Sequence, residues 1–101
     1  MTFALKPGCY DEYKRAHDEL WPEIAERMSE NGVSMVIHYY KDRLFLFATA
    51  PSRDAMEQSH AGEVMTRWQA YMATLMVTDG EGKTVVDPLE TAFAFGDFAN
   101  E

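Results

Sequence analysis

An α+β fold of ferredoxin-like type, an antiparallel sheet with helices on one face, is what this sequence predicts, and three features predict it. Apolar residues recur in the order strand, helix, strand, strand, helix, strand, which is the order of that arrangement. The two central β-rich runs, Val33 to Tyr40 and Leu44 to Thr49, lie only three residues apart, close enough to form an antiparallel hairpin. The chain has 101 residues, 47% of them hydrophobic, which suits one domain spanning 1–101 around one core.

The elements follow in order. Thr2 to Lys6 reads as a short strand stopped by Pro7-Gly8, a pair that favours a turn. From Tyr10 to Glu30 the spacing is helical, with Tyr13, His17, Leu20, Trp21, Ile24 and Met28 on one face. Pro22 lies inside that pattern and must kink the helix or begin a second one, with Asp18 as the candidate cap, and Asn31-Gly32 marks its end. After the hairpin, Ser52 is placed to cap a short helix through Gln58. Gly62 separates it from a longer helix, Glu63 to Met76, whose inner face carries Val64, Trp68, Tyr71, Met72 and Leu75. Asp79-Gly80-Glu81-Gly82 reads as a polar loop, and Leu89 to Phe95 as a fourth strand. Helices on one side leave the other sheet face to be covered, so a homodimer, forming a dimeric α+β barrel, is expected.

Charge and composition narrow the partners. The net charge is −8, which repels nucleic-acid phosphates and anionic membranes and favours a neutral or cationic small molecule. No apolar run is long enough to span a membrane, and Met1-Thr2-Phe3-Ala4-Leu5-Lys6 lacks the layout of a signal peptide, so the expected location is cytoplasmic. Cys9 is the only cysteine, and the three histidines have no metal-ligand spacing, so neither a disulfide nor a metal site is expected. Seven methionines point to an adaptable core.

The residues able to do chemistry gather on the helices. Tyr13, His17 and Trp21 stand at successive i, i+4 positions, stacking a phenol, an imidazole and an indole on the inward face. A sugar pocket needs such a mixture, an aromatic plane for the apolar side of the ring and a few polar groups for the hydroxyls. A core histidine bonded to a backbone carbonyl explains His17 equally well on spacing alone. Interconversion of sugar anomers fits this equipment, because it requires only that the anomeric hydroxyl lose a proton while the ring oxygen gains one. An imidazole exchanges protons near neutral pH without metal or cofactor. Trp68 is either an aromatic wall or core filler, and Gln69 either a sugar contact or a solvated position. His38 and Tyr40 alternate with Val36 on one face of the second strand, and face either the cavity or the outer surface. His60 reads as an exposed histidine.

The run Tyr13-Lys14-Arg15-Ala16-His17-Asp18-Glu19-Leu20-Trp21-Pro22-Glu23 closely resembles the E-Y-x-x-x-H-x-x-x-W-P-E segment of the L-rhamnose mutarotase family. Leu46-Phe47-Ala48 and Arg67-Trp68-Gln69-Ala70-Tyr71-Met72 are similar to the family's L-F-A and R-W-W-x-x-M segments. The resemblance implies a dimerising ferredoxin-like subunit that interconverts α- and β-L-rhamnose without a cofactor. It makes His17 the proton donor and Tyr13 a substrate-binding tyrosine, and matches Trp68 to the first of two substrate-contacting tryptophans. The second is Gln69 here, and the family's sugar-binding tyrosine on the second strand falls on Val36. That leaves His38 or Tyr40, on the same face, as its replacement, and L-fucose or a related deoxy sugar as the alternative substrate. A non-catalytic ligand-binding or stress-associated protein of the same fold is the alternative of a different class.

Overall fold

The structure is a computed structural model and describes residues 1–99. Three strands, β1 (Thr2–Ala4), β2 (Ser34–Tyr40) and β3 (Arg43–Thr49), form an antiparallel sheet in the order β1-β3-β2. Four helices accompany it: α1 (Tyr10–Asp18), α2 (Pro22–Glu30), α3 (Arg53–Ser59) and α4 (Glu63–Ala73).

Local chemistry explains most boundaries. Pro22 occupies the first turn of α2, where its missing N–H costs nothing, so the long helical pattern divides into two helices. The capping residue is Trp21, without a side-chain cap; Asp18, the expected cap, stays inside α1 and binds Lys14 Nζ at 2.9 Å. Gly32, at φ +67°, ends α2 in a Schellman motif, with Gly32 N–H bonded to Ser29 O and Val33 N–H to Met28 O. Lys41 and Asp42 both have positive φ between the paired Tyr40 and Arg43, the two-residue turn whose twist suits a hairpin. Ser52 Oγ accepts from Ala55 N–H at 3.1 Å and caps α3 as expected.

The fourth strand is a correction. Leu89 to Phe95 forms no strand; Leu89, Phe93 and Phe95 are 55%, 83% and 80% exposed. The place beside β1 goes instead to two isolated bridges, Leu5 with Met76 and Thr2 with Asp87, flanking a loop in which Asp79 Oδ1 accepts from the N–H groups of Glu81 and Lys83. Apolar alternation in Leu89 to Phe95 marked a segment that pairs with no strand among the described residues. The first strand is also shorter than expected, and α4 ends at Ala73 rather than Met76.

Pairing fixes which residues face the helices. Phe3 stands opposite Leu44, Tyr39 opposite Leu44, Ile37 opposite Leu46 and Met35 opposite Ala48, so these residues share one face. Phe3 and Leu44 join Tyr13, Ala16, Ile24, Met65, Trp68 and Met72 in the buried core. Val36, His38, Tyr40, Phe45 and Phe47 take the opposite face, where Val36, Tyr40 and Phe47 are 43%, 63% and 46% exposed.

Candidate functional site

Between the sheet and the helices lie two cavities that share a wall. The larger, about 1050 Å³, and the smaller, about 330 Å³, are both lined by Tyr13, His17, Leu20, Met28, Met35 and Ile37. The smaller is completed by residues including Tyr10, Lys14, Asp18 and Tyr39, the larger by residues including Trp68, Gln69, His60 and Lys83. His17 therefore borders both.

Helical spacing sets the wall that the two cavities share. Tyr13 and His17, one turn apart on α1, place their rings 4.3 Å apart at a 34° tilt. His17 Nδ1 lies 2.9 Å from the backbone carbonyl of Tyr13. A carbonyl can only accept, so Nδ1 carries the hydrogen of a neutral imidazole and Nε2 keeps its lone pair. Burial lowers the pKa of His17 against smaller raising effects of the Tyr13 carbonyl and Asp18, which favours that neutral form. Tyr13 is buried, and burial pushes its phenol well above the ordinary range, so it stays protonated and able to donate. The wall shared by the two cavities thus presents Nε2 of His17 as a base beside the neutral hydroxyl of Tyr13.

Aromatic rings hold this wall from behind. Trp68 is buried and meets His17 edge to face at 5.1 Å and 77°, and Trp21 meets Trp68 at 5.1 Å and 79°. Tyr71 stacks near Trp21 at 6.4 Å, and its hydroxyl donates to Glu12 Oε1 at 3.2 Å, tying α4 to α1.

The expected site residues divide accordingly. Tyr13, His17, Trp68 and Gln69 all line the larger cavity. Trp21 lines neither cavity, because Trp68 occupies the inner layer and Trp21 packs against it. His38 and Tyr40 share the sheet face of Val36, turned away from His17, because the hairpin register gives the inner face to Met35, Ile37 and Tyr39. Tyr39 is the tyrosine of this strand that lines the smaller cavity. It stacks on Tyr10 at 3.7 Å and 18°, and its hydroxyl donates to Asp42 Oδ1 at 3.3 Å. The usable signal was the pair Met35 and Ile37, four and two residues before it, but Met-Val-Ile-His-Tyr-Tyr offers an apolar residue to each face. His60 is exposed as expected yet lines the larger cavity, with Nδ1 2.9 Å from both Met56 O and Ser59 Oγ. Among the described residues, no three His, Cys, Asp or Glu side chains gather as metal ligands would. No helix among them is long and apolar enough to cross a membrane.

Known proteins resemble the chain over nearly all of it. The sequence profile described as L-rhamnose mutarotase matches residues 1–95. A protein of Burkholderia orbicola named L-rhamnose mutarotase is 39% identical over 92 residues, 88% of each chain, and one of Mesorhizobium japonicum with the same name is 40% identical over 92 residues. The crystal structure of an L-rhamnose mutarotase from Formosa agariphila superposes with a TM-score of 0.76 at 30% identity, covering 94% of both chains.

Proposed function

The chain belongs to the L-rhamnose mutarotase family, and from that premise we propose that it interconverts the α and β anomers of L-rhamnose with His17 as the proton-transferring group. The observation that carries the assignment to His17 is its hydrogen bond to the Tyr13 carbonyl, which leaves Nε2 unprotonated at the wall of both cavities.

The chemistry needs little more. Nε2 of His17 takes the proton of the anomeric hydroxyl, the electron pair of that O–H bond becomes the carbonyl π bond, and the bond from C1 to the ring oxygen breaks. The ring oxygen leaves with its electron pair and takes up the proton held by the His17 imidazolium, giving the open-chain aldehyde. Rotation about the bond from C1 to C2 presents the other carbonyl face, and the reverse steps close the ring with the opposite configuration. No net proton is consumed, so the imidazolium formed in the first half returns its proton in the same cycle. Tyr13 supports this by donating a hydrogen bond from a hydroxyl that burial keeps protonated. Trp68 offers an aromatic face for the apolar side of the sugar and Gln69 an amide for a hydroxyl. Trp21 acts through Trp68, and His38 and Tyr40 have no part in the cavity.

We assign the working form as a homodimer. Val36, Tyr40 and Phe47 leave exposed apolar side chains side by side on the outer sheet face, and Phe93 and Phe95 are exposed too, surface that a second copy would cover. Phe98 already rests edge-on against Phe47 at 5.4 Å, so the terminal segment begins to cover that face from its own side. Light scattering at graded concentrations checks the mass, and a monomer at all of them overturns the assignment. The lone cysteine and the net charge of −8 fit a cytoplasmic enzyme of a neutral sugar.

Magnetisation-transfer NMR between the α and β signals of L-rhamnose tests the activity, with L-fucose and glucose as comparisons. Catalysed exchange should fall by about 10²–10⁴-fold in His17→Gln, which keeps a donor for the Tyr13 carbonyl but has no titratable nitrogen. Undiminished exchange in that variant would remove His17 from the mechanism. Binding of sugar without faster exchange in the wild type would favour the non-catalytic alternative.

A further inference from the structure

All seven methionines of the chain, from Met1 to Met76, line the larger cavity. They arrive there from the N-terminus, α2, β2, α3, α4 and the segment after α4. General apolarity does not explain this gathering, because only two of the six leucines and one of the six valines line the same space. Methionine is unbranched and polarisable, and a wall built of it adapts to apolar groups of varied shape.

The volume is also too large for the sugar. About 1050 Å³ stands open along this wall. Pockets of roughly 300–1,000 Å³ hold drug-sized molecules, and a six-carbon sugar is smaller than these. The sugar's partners, Tyr13, His17 and Gln69, account for only part of the lining, and most of the remainder is apolar.

We propose that the cavity admits a reducing 6-deoxyhexose bearing an acyl ester on a hydroxyl other than the anomeric one, its ring at Tyr13 and His17 and its acyl chain against the methionines. The anomeric hydroxyl is free in such a molecule, so ring opening proceeds as for the plain sugar. This substrate class rests on the mutarotase reading, and the test separates the two.

The probes are L-rhamnose and its mono-O-butanoyl esters, with two readouts on the full chain. The first is anomer exchange by NMR, giving kcat and KM for each. The second is the spectrum of protein carrying methyl-labelled methionine. The expected results are a KM for one ester at least about tenfold below that of L-rhamnose, from burial of the added methylenes, and methionine methyl shifts on adding the ester that L-rhamnose does not produce. Met56→Gln, a half-buried position on α3 apart from the catalytic wall, should raise the KM of the ester while leaving exchange of L-rhamnose as in wild type. That unchanged exchange also certifies that the variant folds. Exchange of L-rhamnose with no ester preferred, or methyl signals indifferent to the ester, overturns the proposal and leaves the mutarotase reading standing. Failure to accelerate any of these sugars overturns both.

Discussion

Replacing Trp68 by alanine should cost about 3 kcal/mol of folding stability, at the low end of the ~3–5 kcal/mol usual for a buried aromatic cut to alanine. The ring is 7% exposed and meets both His17 and Trp21 edge to face at 5.1 Å. Two such aromatic contacts at ~0.5–1.5 kcal/mol each account for ~1–3 kcal/mol of the loss, and lost apolar burial supplies the rest. The low end follows from the position. Trp68 borders an open cavity, so water enters the vacated space instead of leaving a dry void. Urea unfolding followed by far-UV circular dichroism measures the effect without relying on tryptophan emission. With a slope of about 1.5 kcal/mol per molar for a domain of this size, the midpoint should drop by about 2 M with the slope unchanged. Trp68→Phe keeps a ring in the layer and should lose less than half as much. A loss below about 1 kcal/mol in the alanine variant would refute the claim that Trp68 braces the wall carrying His17.

Two further predictions concern His17 and a third the end of α2. Because burial lowers the pKa of His17 in the fold, the acid limb of kcat/KM should lie below the ordinary 6.5. As pH falls through 6.5 the unfolded chain takes up the proton first, so stability should also decline from there until the folded imidazole protonates; an acid limb above 6.5 contradicts this. Lys14 Nζ sits 2.9 Å from Asp18, whose charge raises the His17 pKa, so Lys14→Ala should move an NMR titration of His17 upward and Asp18→Asn downward. Shifts of both variants in the same direction would contradict it. Gly32→Ala should destabilise by about 1–3 kcal/mol in urea unfolding, because φ is +67° and an added Cβ would meet Pro51 Cγ at 3.0 Å; no loss would show that Pro51 gives way freely.

What the sequence made legible was whatever depends on neighbours in the chain. The helix stop at Asn31-Gly32, the cap at Ser52, the break at Pro22 and the hairpin are each decided by a few adjacent residues, and all were readable. The pairing of Tyr13 with His17 was readable for the same reason, since one helical turn separates them. The strand read at Leu89 to Phe95 was not a strand, because alternation reports a β-prone segment without saying which edge it finds, or in which subunit. The inner face of β2 failed on register. A residue's face there depends on its partner in β3, and Val36, His38 and Tyr40 are as plausible a stripe as Met35, Ile37 and Tyr39. The methionine wall was invisible for a third reason. Its members are spread from Met1 to Met76, and nothing local connects them.

The same apolar surroundings that make His17 look like a core residue also suit it to the proton transfer proposed for it. A carboxylate bonded to Nδ1 would raise the pKa of the imidazole and favour its charged form over the neutral base. Here the partner of Nδ1 is a backbone carbonyl, which fixes the tautomer without adding a full negative charge, and the nearest acidic influence, Asp18, is already paired with Lys14. Desolvation then dominates and keeps the ring neutral. A base that must both accept and return a proton within each turnover works best when neither form is strongly trapped. Burying the imidazole partly against Tyr13 and Trp68, with no ion pair of its own, meets that condition with the side chains of one helical turn and one aromatic neighbour.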